Sequence, residues 1–184
     1  EGYRGSAPVR WGNAAADQTQ NDVYGEILDC AFQWLAAGGE LDRDTWDQLR
    51  GLVDAAASDW REPDHGIWEV RSSARTFTYS AAMCQVALDR GARIVERLGL
   101  PGDAARWRAE ADRIVDALLD EAWDEDRKAL REQLGGGALD ASILSLPLRR
   151  VVPARHPKMV ATVEAVVDEL GCGDGLLYRY LPDR

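Results

Sequence analysis

The fold is decided by residues 79–122, whose sequence is YSAAMCQVALDRGARIVERLGLPGDAARWRAEADRIVDALLDEA. Apolar residues in both halves of this stretch recur every three or four positions, which is the spacing of one face of an α-helix. Gly99 and Pro101 are helix-stop residues between the halves, and Asp103 can cap a second helix. The stretch therefore predicts an antiparallel helical hairpin. Its helices run from Tyr79 to Leu98 and from Asp103 to about Ala122.

A second helical hairpin is predicted before this one. Apolar residues follow helical spacing over residues 18–37, where Gly38-Gly39 ends the first helix. The spacing resumes after Asp42 or Asp44, either of which can cap a helix, and continues to about Trp60. The apolar stripe on the first of these two helices consists of Val23, Ile27, Ala31, Trp34 and Leu35.

The last third of the chain predicts a third pair of helices and some short extended segments. Asp140 can cap a shorter helix, and a last helix begins near Pro157 and ends at Gly171. Residues 123–139 indicate a turn or short hairpin, and residues 176–180 alternate like a strand. The apolar stripe on the last helix consists of Val160, Val163, Val167 and Leu170.

Six helices in three hairpins predict an all-α fold of paired antiparallel helices. We expect one domain spanning residues 1–184, with short irregular or β segments in its loops. A chain of 184 residues with 46% hydrophobic residues is long and apolar enough to bury a core.

Net charge narrows the classes of partner. The chain has 32 acidic and 22 basic residues, which gives a formal charge of -10. This charge repels nucleic acid and anionic membrane surfaces, so neither is an expected partner. The apolar runs are also much shorter than the roughly 20 residues that span a membrane. A neutral ligand is favoured.

The cysteines and histidines predict neither a disulfide framework nor a metal site. Cys30, Cys84 and Cys172 are odd in number and widely spaced among apolar residues and glycines. We expect reduced, mostly buried thiols in a cytoplasmic protein. No cluster of possible ligands has metal-binding spacing, and no glycine-rich loop has a phosphate-binding pattern. The sequence predicts no metal and no cofactor.

One loop carries a candidate for catalysis. Residues 63–71, PDHGIWEVR, lie between two predicted helices and place Glu69 directly after Trp68. Glycoside cleavage needs a carboxylic acid to protonate the departing oxygen, and flat apolar faces hold the sugar. A neighbouring indole limits the hydration of a carboxyl group and favours its protonated form. The alternative is an ordinary strand, with Trp68 packed inward and Glu69 paired with Arg71 or Arg75.

The surroundings of this loop resemble glycoside hydrolase family 15, the family of glucoamylases and of bacterial glucoamylase-like and trehalase-like enzymes. The resemblance covers nearly the whole chain, in order. The segments that carry it are Gly12–Ala15, Gln18–Gly25, Asp64–Arg71, Phe77–Ser80, Met83-Cys84, Val86–Arg90, Ala138–Ser142 and Gly175–Tyr180. The resemblance implies an α/α toroid of six helical hairpins that hydrolyses α-linked glucosides with inversion.

The resemblance also implies roles for individual residues. In the family, the Glu of the Trp-Glu motif is the general acid, and it corresponds here to Glu69. Gln20 and Asp22 match a Gln-x-Asp motif near the sugar-binding end, where they would bind glucose hydroxyls or hold neighbouring loops. Trp68 and Trp11 are candidate sugar-stacking residues, and Arg71 is a candidate orienting partner for Glu69. The tryptophans predicted to lie in the core are Trp34, Trp46 and Trp107.

Three hairpins are about half of a six-hairpin toroid. The resemblance therefore implies the middle portion of a catalytic domain, with the general base and the family's Arg-Asp sugar-binding pair outside these residues. The expected substrate is trehalose, a maltooligosaccharide or a related α-glucan, and the expected partners are the remaining parts of the domain. The 184 residues alone are expected to be inactive and prone to self-association. The alternative is a non-catalytic helical scaffold or glucan-binding module derived from the same fold.

Overall fold

The computed structural model describes residues 2–9, 12, 14–70 and 73–181. Its secondary structure is mainly helical, so the predicted fold class is confirmed. The α-helices are α1 (Asp22–Ala36), α2 (Arg43–Asp59), α3 (Thr78–Leu98), α4 (Ala104–Asp120) and α5 (Pro157–Leu170). The strands are β1 (Trp123–Asp124), β2 (Ala129–Leu130), β3 (Gly171–Gly173) and β4 (Leu176–Leu177), which pair as two antiparallel hairpins, β1 with β2 and β3 with β4. The 3₁₀ segments are Tyr3–Gly5, Ala14–Asp17 and Ala141–Ser145.

The helix ends follow the predicted capping residues. Asp42 rather than Asp44 caps α2, because its side chain accepts a hydrogen bond from the Thr45 N–H. Asp103 caps α4 in the same way. Gly99 ends α3 in the left-handed conformation, with φ of 64°, which glycine adopts without steric cost.

Helix α3 is the centre of the fold. It packs against α1, α2 and α4, and most of its residues are buried. Close approach requires glycine at two positions: a Cβ atom at Gly25 of α1 would overlap the Met83 carbonyl, and one at Gly91 of α3 would meet Val53 of α2 at 2.7 Å. The backbone of α1 therefore lies against the backbone of α3 at Gly25, and the backbone of α3 lies against a side chain of α2 at Gly91.

One predicted helix is replaced by a shorter element. Asp140 caps the 3₁₀ segment Ala141–Ser145, where the sequence predicted an α-helix. The residues described here thus contain five α-helices rather than six. Pro147 follows this segment and cannot donate the backbone hydrogen bond that a longer helix would need.

One of the three tryptophans predicted to lie in the core is exposed. Trp34 is 59% exposed and its indole N–H donates to the Glu40 carbonyl, whereas Trp46 and Trp107 are buried as predicted. Helical spacing identifies an apolar face but does not tell whether another element packs against that face. The other stripe residues that are exposed are Val23 and Ile27 on α1 and Val160, Val163 and Val167 on α5.

The prediction of mostly buried thiols is also wrong. Cys84 is buried in α3, but Cys30 and Cys172 are exposed. Cys30 lies on the uncovered face of α1, and Cys172 lies in β3, whose residues are all exposed. No helix within the described ranges is both long and apolar enough to cross a lipid bilayer.

Three connecting segments meet at one end of the helices. The backbone N–H of His65, in the α2–α3 connection, donates to the Thr19 carbonyl before α1 at 2.9 Å. On the other side, the Thr78 N–H donates to the Glu132 carbonyl, in the segment after α4, at 2.8 Å. The loop containing Glu69 and the segment that enters α1 therefore lie at the same end.

Candidate active site

The loop that carries Glu69 is closed at its base by a pair of backbone hydrogen bonds. Asp64 and Arg75 exchange N–H···O bonds of 2.9 and 2.8 Å. Inside this base, the Glu69 N–H donates to the Gly66 carbonyl at 3.1 Å, and the Val70 N–H donates to the His65 carbonyl at 3.1 Å. These bonds define a tight turn over Gly66–Glu69. This region is therefore a turn and not the ordinary strand of the alternative prediction.

Gly66 allows the turn to lie against α3. Its φ is +63°, a conformation that residues with a Cβ adopt at a cost. A Cβ atom there would also meet the Phe77 ring at 3.0 Å. Both observations favour glycine at this position.

The segment before α1 supports the turn from one side. The Gln18 side-chain amide donates to the Val70 carbonyl at 3.1 Å, and that of Gln20 donates to the Gly66 carbonyl at 3.3 Å. Gln20 therefore contacts a neighbouring loop, which is compatible with one of the two roles that the sequence allowed for it.

Glu69 lies on the outer side of the turn. It is exposed, and its φ of +49° is uncommon for a residue other than glycine. Such conformations cost energy and cluster at functional sites. The expectation that the Trp68 indole shields the Glu69 carboxyl from water is not met among the described residues, because Glu69 is exposed. The Trp68 indole N–H is directed to another carboxylate.

That carboxylate belongs to Asp140. The Trp68 indole N–H donates to Asp140 Oδ2 at 2.7 Å, across 72 positions of sequence. Burial raises the pKa of the Asp140 carboxyl, and hydrogen bonds from Ser142 and Trp68 oppose that rise. In the sequence, Asp140 is recognisable only as a helix cap. Its position in the Ala138–Ser142 segment, which resembles the family, was the available signal of a functional role.

A small cleft separates the turn from the segment after α4. It is lined by His65, Trp68, Tyr79, Glu132 and Asp140, among others, and has a volume of about 10 Å³. Ligand pockets typically measure about 300–1,000 Å³, so a sugar ring does not fit between these side chains. Glu69 is not among the residues that line this cleft.

Two buried carboxyl groups lie beneath the loop. Asp64 is completely buried and its Oδ2 accepts hydrogen bonds from the Asn21 N–H at 2.9 Å and the Ser80 hydroxyl at 2.6 Å. Asp22 is 6% exposed, and its Oδ1 has no hydrogen-bond partner among the described residues. Burial and then the Asp64 carboxylate raise the pKa of Asp22 to about 6. The structure thus places Asp22 behind the turn rather than on its surface.

The remaining predicted site residues fall in part outside the structure. Trp11 and Arg71 lie outside the described residues. Trp68 is half-buried, and the Arg179 guanidinium lies 5.4 Å from the centre of its ring. In the described part of the chain, no group of three His, Cys, Asp or Glu side chains is arranged to hold a metal ion.

A much larger groove lies on another side of the fold. It measures about 820 Å³ between α2 and α4 and contains both acidic and basic side chains. Several of these are already paired, such as Arg61 with Glu121 and Arg113 with Glu110. It does not include the turn that carries Glu69.

Comparison with known proteins identifies the family. The family model for glycosyl hydrolases family 15 matches residues 1–181. The chain belongs to glycosyl hydrolase family 15. Among relatives of this family, the chain is 43% identical over 179 residues to a trehalase of Mycobacterium tuberculosis, covering 97% of this chain and 26% of the relative. It is 33% identical over 183 residues to a trehalase of Thermoplasma volcanium, covering 100% of this chain and 29% of the relative.

Solved structures show the same fold. A wild-type glycosidase superposes with a TM-score of 0.79 at 23% identity, covering 95% of this family 15 chain and 46% of the glycosidase. A glycosidase variant in complex with glucose gives a TM-score of 0.78. The chain thus spans less than half the length of these structures and about a quarter to a third of the curated relatives.

Proposed function

We propose that the complete protein hydrolyses an α-glucosidic bond, with trehalose as the first substrate to test and Glu69 as the general acid. Membership in family 15 supports glycoside hydrolysis, and the relatives named trehalases favour trehalose over other α-glucosides. The observation that carries the role of Glu69 is its position: an exposed carboxylate on a strained turn, held at its base by the Asp64–Arg75 pair.

In this proposal Glu69 donates a proton to the oxygen of the departing glucose. An inverting enzyme needs a second carboxylate to activate water, about 6.5–9.5 Å from the first. We propose that this base comes from the remainder of the catalytic domain, and that Gln20 keeps the turn in place through its hydrogen bond to the Gly66 carbonyl. Trp11, Trp68 and Arg71 remain proposed contacts for the sugar or for Glu69.

We further propose that residues 1–184 form only part of the catalytic domain. The apolar stripes left exposed belong to α1 and α5, the first and last α-helices of the described residues, while the central α3 is covered. Exposed apolar surface of this kind marks a site of further contact. Helices from the rest of the domain would cover Ile27 and Trp34 on one side and Val163 on the other.

The test uses the full-length protein. Glucose release is measured with trehalose, maltose and a maltooligosaccharide as substrates. Replacing the acid in Glu69→Gln is expected to lower kcat on the natural substrate by about 100-fold to 10,000-fold. Glu62→Gln is the matched control, because Glu62 is exposed near the same loop and has no proposed role in catalysis.

Two outcomes would contradict the proposal. Wild-type protein that binds a glucan but releases no glucose from any α-glucoside would indicate a binding module instead. Nearly full activity in Glu69→Gln would remove Glu69 from the role of general acid.

A further inference from the structure

We propose that Asp140 is a positioning residue for Glu69 and that it acts through the indole N–H of Trp68. The inference rests on the proposed function, because it assumes that Glu69 is the general acid. It adds a residue that lies 71 positions further along the chain and does not belong to the turn.

The two oxygens of Asp140 have separate partners. Oδ1 accepts the Ser142 N–H at 2.7 Å and thereby caps the 3₁₀ segment, while Oδ2 accepts the Trp68 indole N–H at 2.7 Å. Asp140 is only 4% exposed, so water does not compete freely for either oxygen. Hydrogen bonds to a carboxylate are stronger than those between neutral groups. The cap of the 3₁₀ segment needs only the bond to Oδ1. The bond to Oδ2 therefore connects Asp140 to the turn that carries Glu69.

Arg179 also contacts Trp68. Its guanidinium lies over the face of the indole, 5.4 Å from the ring centre, and its backbone carbonyl accepts the Ala141 N–H at 2.8 Å. Ala141 directly follows Asp140. Asp140 therefore holds the edge of the Trp68 ring and Arg179 covers its face. Because the Ala141 N–H bonds to the Arg179 carbonyl, these two groups are linked to each other, and together they define the orientation of the ring.

The position of Trp68 controls the position of its neighbour in the chain. Glu69 has a φ of +49°, and the turn around it is held on the opposite side by Gln18 and Gln20. Those contacts reach only backbone carbonyls at Gly66 and Val70. The bond from Trp68 to Asp140 is the side-chain tether of the residue next to Glu69, so its loss would let the carboxylate leave its productive position.

Misplacement of a reacting group by about 1 Å can lower a rate by about 100-fold. We therefore expect Asp140→Asn to lower kcat for trehalose in the full-length protein by about 10-fold to 100-fold, with KM changed by less than about threefold. The Asn carbonyl can still accept the Ser142 N–H, but its NH₂ then faces the indole N–H. Trp68→Phe removes the same bond from the other side and is expected to give a similar loss. The double variant is expected to be no worse than either single variant, because both remove one interaction.

A second substrate separates positioning of the acid from a general structural role. α-Glucosyl fluoride has a leaving group that needs little protonation, so a misplaced general acid matters less for its hydrolysis. Asp140→Asn and Glu69→Gln are both expected to lose much less activity on this fluoride than on trehalose.

Trp60 provides a matched control elsewhere in the fold. Its indole N–H donates to Glu110 Oε1 at 2.7 Å, and the Arg61 guanidinium lies 4.2 Å from its ring centre. Trp60→Phe therefore removes a bond of the same kind away from the turn. Because Trp60 is more deeply buried than Trp68, Trp60→Phe is expected to lower the melting temperature at least as much as Trp68→Phe while leaving kcat unchanged.

The inference is overturned if Asp140→Asn lowers only the melting temperature, if its loss of kcat is equal on both substrates, or if the losses in Asp140→Asn and Trp68→Phe multiply. In those cases a strong loss in Glu69→Gln would leave the proposed function standing. Full activity of Glu69→Gln would overturn the proposed function and this inference together.

Discussion

Replacing Asp22 with Asn should stabilise the protein at neutral pH. Asp22 is buried at the start of α1, and its Oδ1 has no hydrogen-bond partner among the described residues. Burial, followed by repulsion from Asp64, raises the pKa of Asp22 from 3.8 to about 6. The folded protein therefore holds this proton more tightly than the unfolded chain does, and ionisation of Asp22 opposes folding.

The size of the effect follows from linkage between ionisation and folding. A pKa of about 6 in place of 3.8 corresponds to about 3 kcal/mol, at 1.36 kcal/mol per pH unit. The contribution of Asp22 to the free energy of unfolding should fall as the pH rises from about 4 to about 6. Above that range the full penalty is present. An amide at this position never ionises, so Asp22→Asn lacks this pH dependence.

The assay is urea unfolding of the full-length protein, followed by circular dichroism at several pH values between 4 and 7. The free energy of unfolding of Asp22→Asn, relative to wild type, should increase by up to about 3 kcal/mol from the lowest pH to the highest. Asp168→Asn is the control, because Asp168 is exposed on α5 and its replacement also removes one negative charge. A difference between Asp22→Asn and wild type that stays constant over this pH range would refute the reasoning.

Two further substitutions test the packing and capping of the helices. Gly25→Ala should lower the free energy of unfolding by several kcal/mol, because the added methyl group overlaps the α3 backbone. Urea denaturation measures this change, and an unchanged value would contradict the close contact. Gly51→Ala is its control: nothing lies within 4 Å of the added Cβ atom in α2, so we expect a gain of about 0.5–1 kcal/mol. Asp42→Ala should lower the free energy of unfolding by about 1 kcal/mol, because it removes the cap of α2, and the loss should appear as a lower melting temperature. Asp44→Ala removes no capping bond and should cost less.

Much of the helical structure could be predicted from local signals. The apolar spacing of residues 79–122 predicted α3 and α4, and Gly99 and Asp103 marked the boundary between them. These signals are reliable because a helix end must satisfy its own backbone groups within a few residues. The segment after Asp140 was the exception: the cap was read correctly, but the helix stops after one 3₁₀ segment before Pro147.

Burial was less predictable than helix formation. Trp46 and Trp34 lie on helices with similar apolar stripes, yet Trp46 is fully buried and Trp34 is 59% exposed. Trp46 faces α4, where its ring meets the edge of Trp107. Trp34 has no such neighbour in the described residues and folds back over its own turn at Gly39. Periodicity alone contains no information about which faces find a partner.

The candidate site shows the same division. The order of the motifs was enough to identify the family and to single out Trp68 and Glu69, because these depend on residues adjacent in the chain. Only the tertiary structure decided that Trp68 donates to Asp140, that Gln20 holds the turn, and that Asp22 is buried beside Asp64. Such contacts join residues more than 40 positions apart, and they form only when packing of the helices brings their loops to one end. The sequence by itself thus determined most of the helices and their caps and singled out Trp68 and Glu69, whereas the three-dimensional arrangement assigned each group its partner.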